Sequence, residues 1–134
     1  MREIKFRVWD TYRNKMIKWD ELHSDSNYLC LMVFDGNGYR TRAMQYTGLK
    51  DKNGTEIYEG DIVKAKDPYK LNSKERFYTC EVVFTDGALF MLKHKTVKWG
   101  KEEVHYYNMR IMEIEVIGNI FENPELLEVG ECKD

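Results

Sequence analysis

A mainly β fold, a small SH3-like or otherwise partly open barrel with N-terminal β-hairpins and a short C-terminal helical turn, follows from three observations; a β-rich α+β arrangement is the alternative. Aromatic residues are abundant, with nine tyrosines, six phenylalanines and three tryptophans against two prolines, and such side chains suit a pleated, half-buried surface. Apolar and polar residues alternate through most of the chain, the period of a strand with one covered face. Turn dipeptides, Asn53-Gly54 above all, separate the alternating runs.

The elements follow in order. Ile4, Phe6 and Val8 alternate with Glu3, Lys5 and Arg7 in a strand with one buried face that ends at Trp9. Asp10 to Lys15 is turn-rich, and Met16 to Trp19 returns as a short strand to complete a first hairpin. Asp20 to Asn27 is polar and reads as a loop. Tyr28 to Phe34 is nearly all apolar, as in a strand covered on both faces. Asp35-Gly36-Asn37-Gly38 then turns the chain into a strand over Tyr39 to Tyr46.

Met44 to Lys64 is the clearest unit. Asn53-Gly54 supplies the positive φ values of a tight hairpin turn, and Gly48 and Gly60 stand where strand patterns break, so each allows a bend or bulge. Asp61 to Lys66 resumes the alternation. Asp67 to Arg76, with Pro68, Asn72 and Ser73 among charges, is the longest exposed loop. Phe77 to Phe84 and Ala88 to Leu92 flank the turn pair Asp86-Gly87, Val104 to Tyr107 is a further strand, and Glu113 to Ile117 closes the β pattern. Asn123-Pro124-Glu125 places a capping residue, a proline and an acid at the start of one helical turn, followed by a frayed tail. One domain results: a hairpin subdomain over residues 1–45, a barrel-like core over 46–122, and the helical turn and tail over 123–134.

Composition narrows the function classes. A chain of 134 residues, 43% hydrophobic and 33% charged, has the balance of an ordinary soluble domain. No apolar run approaches the roughly 20 residues that span a bilayer, and the charged start Met-Arg-Glu-Ile-Lys is unlike a signal peptide. An intracellular protein without membrane contact is expected. Cys30, Cys80 and Cys132 are odd in number and lack CxxC spacing, which argues against a disulfide framework and against a zinc site. The net charge of −2 conceals a basic middle: residues 64–101 hold nine basic and four acidic residues, and residues 102–134 hold two and nine.

Phe6-Arg7-Val8-Trp9-Asp10, Met44-Gln45-Tyr46-Thr47-Gly48-Leu49-Lys50-Asp51, Ile57-Tyr58-Glu59-Gly60-Asp61-Ile62-Val63, and Val116-Ile117-Gly118-Asn119-Ile120-Phe121-Glu122-Asn123-Pro124-Glu125-Leu126-Leu127 together resemble the YopX family of phage and prophage proteins. The resemblance covers almost the whole chain and is loosest from Asp67 to Tyr107. It implies a mostly β accessory protein made in the cytoplasm of a bacterial host, and it points to no particular reaction.

The chemistry-bearing residues are sparse. Tyr46, Tyr58, Glu59 and Asp61 could group two carboxylates with phenols for acid-base work, yet the same residues serve as packing partners and a polar turn. His94 and His105 lie in neighbouring strand-like stretches that a hairpin could join. No phosphate-binding loop, dinucleotide fingerprint, HExxH or nucleophile elbow is present, so neither catalytic residues, metal nor cofactor is expected. Cys80, inside an apolar strand, is a poor nucleophile because burial raises a thiol pKa. Phe77 alternates like a core residue.

The candidate binding residues are Lys64, Lys66, Tyr69, Lys70, Arg76, Tyr78, Lys93, Lys95, Trp99 and Lys101, a basic stretch interleaved with aromatics. Two partner classes fit it. A protein-interaction or assembly module would meet a host protein, a phage protein or another copy of itself. The alternative is a single-stranded nucleic-acid-binding barrel, with bases stacked on aromatics beside a cationic groove.

Overall fold

The computed structural model describes residues 3–11, 13–24, 41–69, 74–85 and 89–128. The expected strand over Tyr28 to Phe34, the Asp35-Gly38 turn, the Asp86-Gly87 turn, the frayed tail, Cys30, Cys132 and Lys70 lie outside the described residues. The chain divides into two compact units, Met1–Gly48 and Leu49–Asp134. The fold is mainly β, as its sequence implies.

In the first unit, β1 (Phe6–Asp10) and β2 (Lys15–Ile17) form the expected hairpin, with Val8 opposite Ile17. Asn14 takes a positive φ of 51° at the turn, and the Asp10 carboxylate accepts the Arg13 N–H at 3.2 Å. On its other side β1 pairs with β3 (Thr41–Lys50), Phe6 opposite Gln45. Trp9 and Asp10 are buried along with Val8, so β1 is covered on both faces rather than on one, and Ile4 lies exposed before the strand.

The polar stretch read as a loop contains a helix, α1 (Trp19–Ser24). Asp20 and Glu21 stand in its first turn, where the helix dipole favours acids. Leu22 is buried against Val8 and Ile17, with Phe6 and Trp19 at the margin. Lys15 Nζ meets Glu21 at 3.0 Å. Packing of one leucine, not local propensity, decides this short helix.

The second unit begins as β3 runs on through Leu49 and Lys50. The turn that follows is not the two-residue turn expected of Asn53-Gly54. Gly54 has φ +83° and Asn53 no positive φ. Asp51 organises the loop instead: its N–H donates to Thr55 O at 2.8 Å, its carbonyl accepts Gly54 N–H at 3.0 Å, and Oδ1 accepts the N–H groups of Asn53 and Thr55. An aspartate that bonds its own downstream backbone fixes a wider loop, with only its last residue in the left-handed region. The loop leads into β4 (Glu56–Tyr58), β3's neighbour in the first sheet.

Five strands then build a curled antiparallel sheet in the order β8-β7-β6-β5-β9. They are β5 (Asp61–Lys66), β6 (Phe77–Phe84), β7 (Phe90–Lys98), β8 (Lys101–Asn108) and β9 (Glu113–Asn119). A four-stranded meander whose first strand is flanked by the last is the order of an SH3-like barrel, here a half-barrel. A 3-10 turn over Met109–Ile111 joins β8 to β9, capped by the Asn108 side chain, which accepts Arg110 N–H at 2.9 Å. The core holds Ile57, Val63, Ala65, Cys80, Val82, Leu92, Met109, Met112 and Ile114. Residues 93–98 continue β7 into a hairpin that turns at Trp99-Gly100, both with positive φ. No Asn-Gly or Asp-Gly dipeptide announces that turn.

β9 bulges: Ile62 faces Gly118 while Val63 faces Val116, so Ile117 is the extra residue. Asn119 then folds the chain back. Its Oδ1 accepts the N–H groups of Phe121 and Glu122, and its Nδ2 donates to Glu122 at 3.0 Å. The expected helical turn is a 3-10 turn over Pro124–Leu127. Asn123 does not cap it; its Oδ1 accepts Asn119 N–H at 3.3 Å, packed so closely on Gly118 that a Cβ there would lie 2.5 Å from that oxygen.

Candidate interaction surface

Alternation along β6 sends Cys80 and Val82 into the core and Phe77, Thr79 and Glu81 to the opposite, outer face. Register carries that face across the sheet. Lys64 lies opposite Thr79 and Lys66 opposite Phe77 on β5; Lys93 lies opposite Glu81 on β7, and Tyr106 and Val104 stand opposite Lys93 and Lys95 on β8. Lys64, Lys66, Lys93 and Lys95, four of the expected binding residues, therefore share one face.

Each lysine there meets an acid or a ring. Lys66 Nζ lies 3.0 Å from Glu75 and Lys95 Nζ 2.9 Å from Glu102. Those contacts raise the pKa of both lysines, through the hydrogen bond first, and lower that of Glu102. Glu81 opposes Lys93 and Glu115 opposes Lys64 in the strand register. Lys64 Nζ sits 4.4 Å above the Phe77 ring, a cation–π contact. Phe77 is thus 48% exposed and not in the core.

The other expected residues do not join this face. Tyr78 points to the concave side, where its hydroxyl donates to Asp67 at 3.0 Å and its ring stacks on Tyr107 at 5.4 Å and meets His94 edge-on at 5.0 Å. Burial first, then the bond to Asp67, raises the Tyr78 pKa, with the neighbouring Arg76 opposing. Tyr69 is 74% exposed on the loop after β5. Trp99 is 85% exposed at the β7–β8 tip, with Lys98 and Lys101 paired beside it. His94 and His105 are cross-strand partners, as their stretches allowed; His94 Nδ1 lies 3.0 Å from Thr79 O and His105 lies 3.7 Å from Glu103. Among the described residues no three metal-ligating side chains gather.

The 3-10 turn Pro124–Leu127 packs against β6. With the outer face it encloses a groove of about 360 Å³, lined by Phe77, Thr79, Glu81, Lys93, His94 and Lys95 on the sheet and by Leu126, Leu127 and Glu128 on the turn. Leu126, Leu127, Val104 and Tyr106 were not among the candidates read from sequence. Register parity with Lys93 and Lys95 is the signal that finds Val104 and Tyr106; the two leucines reach the groove through the packing of their 3-10 turn on β6, which no local pattern announces.

The residues that look reactive are committed to the scaffold. Asp61 is 2% exposed, and its Oδ2 accepts Tyr58 N–H at 2.8 Å. Gly60 donates to Val82 O at 2.8 Å and accepts Ile120 N–H at 2.9 Å, which fastens the β4–β5 corner to β6 and to the end of β9. Cys80 is fully buried, and desolvation pushes its thiol up to about 12. Asp51 Oδ2 accepts Val116 N–H at 2.9 Å across 65 residues. The stretches around Asp51, Gly60 and Gly118-Asn119 are thereby tied into one scaffold of the second unit.

These stretches lie within a family match. The family description "YopX protein" matches residues 5–128, and the chain belongs to the YopX family. It is 30% identical, over 92% of its length and 95% of the relative's, to the SPbeta prophage-derived uncharacterized protein YopX of Bacillus subtilis strain 168. The crystal structure of protein EF1440 from Enterococcus faecalis is similar at a TM-score of 0.54 and 28% identity, covering 96% of this chain and all of that one. Among the described residues no helix is long and apolar enough to cross a membrane.

Proposed function

We propose that the chain is a non-enzymatic protein-interaction or assembly module of a phage or prophage, working in the cytoplasm of the bacterial host and meeting a host protein, a phage protein or another copy of itself. The observation that supports this reading is the matching of signs on the outer face: Lys66 with Glu75, Lys95 with Glu102, and Lys93 opposite Glu81. A polyanion site concentrates positive potential. A face of balanced charge around exposed Phe77, Val104 and Tyr106 has the composition of a protein contact, with aromatic anchors inside a polar rim. β8 contributes a second feature. Among the described residues it has a neighbour, β7, on one side alone, and such an edge accepts an added strand through its main chain.

The test is capture from phage-infected bacterial extract with the native chain, Val104→Pro and Tyr106→Ala, together with light scattering of each protein. The expected result is a partner, or a self-associated species, obtained with the native chain and depleted with the variants. A strictly monomeric native chain with no variant-sensitive partner counts against the module.

Single-stranded nucleic acid is the second reading, favoured by the Lys64–Phe77 contact and by exposed Tyr69. Fluorescence anisotropy with labelled single-stranded DNA and RNA would show salt-sensitive binding if it is right. Absence of binding at low ionic strength ends it.

A further inference from the structure

We propose that copies of this chain join head to tail, the Trp99 tip of one copy seated in the groove between β6, β7 and the Pro124–Leu127 turn of the next. The inference rests on the reading of the chain as an assembly module and names the occupant, a second copy.

The tip is built to present an aromatic ring. Trp99 is 85% exposed and holds φ at +55°, followed by Gly100 at +72°. A two-residue hairpin turn with both residues at positive φ ordinarily takes Asn-Gly, and a bulky side chain in that conformation is an outlier. Strain of this kind marks a functional position when nothing in the fold requires it. A Cβ added at Gly100 would meet nothing within 4 Å, so the tip stands clear of the rest of the described chain. The hairpin beneath it is paired without a break from Lys98 opposite Lys101 to Met91 opposite Asn108, which holds the indole on a firm stem.

The groove on the same molecule has the complementary chemistry. Phe77, Leu126 and Leu127 supply apolar walls, and Glu81 and Glu128 stand with Lys93, His94 and Lys95 around a volume of about 360 Å³. That lies toward the low end of the roughly 300–1,000 Å³ typical of ligand pockets, a size suited to one large side chain. Lys98 and Lys101, on either side of Trp99, would approach Glu128 on the turn wall, while Lys93 would face the indole ring. The tip cannot fill its own groove: three residues of β7, Thr96 to Lys98, separate Trp99 from Lys95, four steps or about 13 Å at 3.3 Å per residue. The lysines of the tip are followed at once by Glu102 and Glu103, a charge balance that favours a protein pocket over an anionic polymer or lipid surface.

Tip and groove are different surfaces, so the contact is heterologous and leaves one of each open on every pair. The outcome is a ring where the rotation closes and a filament where it does not. One tip in one groove buries less than the roughly 1,200 Å² of a standard interface, so association is weak and rises with concentration.

Sedimentation velocity on the full chain, on Trp99→Ala, on Leu126→Asp and on an equimolar mixture of the two variants tests the proposal, with circular dichroism showing that each is folded. The native mass is expected to rise with concentration. Each variant alone is expected to stay monomeric, and the mixture to give a 1:1 dimer that grows no further, because Trp99→Ala keeps its groove and Leu126→Asp keeps its tip. Phe77→Ala, in the opposite wall, replaces Leu126→Asp if that change disturbs the turn. A native chain monomeric at every concentration, a Trp99→Ala protein that associates as the native one does, or a mixture that stays monomeric overturns the joint. Association that survives Trp99→Ala and is lost in Val104→Pro overturns it while leaving the assembly module standing. With neither association nor a partner, both readings fall.

Discussion

The two edges of the five-stranded sheet differ in how their backbone is treated. Along β9, Val116 N–H is held by the Asp51 carboxylate at 2.9 Å, Ile114 C=O accepts Lys52 N–H at 3.2 Å, and Lys52 Nζ reaches Glu115 at 3.5 Å. Along β8, seven of the eight residues are exposed, and among the described residues β7 is its one neighbour. Both are strands of similar length in one sheet, yet one is sealed by a loop and the other, among the described residues, is left open. An edge whose main-chain groups are already bonded belongs to the scaffold, whereas an unsealed edge is available to a partner.

Proline scanning separates the edges most sharply. Val116→Pro removes the N–H that Asp51 accepts and is expected to cost about 3 kcal/mol or more in urea denaturation. In the β7–β8 hairpin, pairing from Lys98 and Lys101 points the Val104 N–H away from β7, so Val104→Pro is expected to cost under about 1 kcal/mol. Equal losses at the two positions would end the distinction.

The seal on β9 also carries a pH dependence. Burial pushes the Asp51 pKa up, but the N–H groups of Val116, Thr55 and Asn53, with the Lys52 charge, outweigh it and leave the pKa below its ordinary 3.8. A carboxyl depressed in the folded state stabilises fully above its unfolded pKa, and that contribution is lost as pH falls through the folded value. Asp51→Ala is therefore expected to cost about 2–3 kcal/mol at pH 7. The gap from the native protein should narrow below pH 3.8; a gap independent of pH between 7 and 2 would contradict the ionic role.

A smaller effect is expected where β9 ends. Gly118→Ala sets a methyl 2.5 Å from Asn123 Oδ1 and 2.9 Å from its Cβ, with an expected loss of about 1–3 kcal/mol. Asn123→Gly clears those atoms, so the double variant should be less destabilised than the sum of the singles. On the β8 side the smallest effect has the opposite sign. Trp99→Asn relieves a left-handed tryptophan and should raise stability by about 0.5–1 kcal/mol, read as a higher melting temperature.

Period-two alternation and turn dipeptides made β1, β2, β5, β6 and β9 legible because both signals are local. The α1 helix was hidden, since its one buried residue, Leu22, is explained by Val8 and Ile17 elsewhere in the chain. The β7–β8 turn was hidden because tryptophan occupies a position that announces itself with asparagine. Within the candidate surface, Lys93 and Lys95 on one side of β7 follow from their spacing alone, and the same alternation places Tyr78 opposite Phe77. The partners Glu75 and Glu102 were not legible, because neither ion pair can be known until strand register and loop path are fixed. Asp51 looked like an ordinary turn residue; its bond to Val116 spans 65 positions.

The arrangement of β5 sets an order on folding. β5 to β8 are sequential neighbours and pair as successive hairpins, but the other side of β5 waits for β9, from Asp61 opposite Asn119 to Lys66 opposite Glu113. During synthesis at roughly 5–20 residues per second, the stretch between those strands takes on the order of 3–10 s to emerge. For that interval the sheet has two open edges, and the stretch around Asp51 and Gly60 lacks the partners that β9 brings. The side of β5 that β9 covers in the finished protein is thus the vulnerable edge in the nascent chain, and slowing translation before Asn119 is where misassembly would begin.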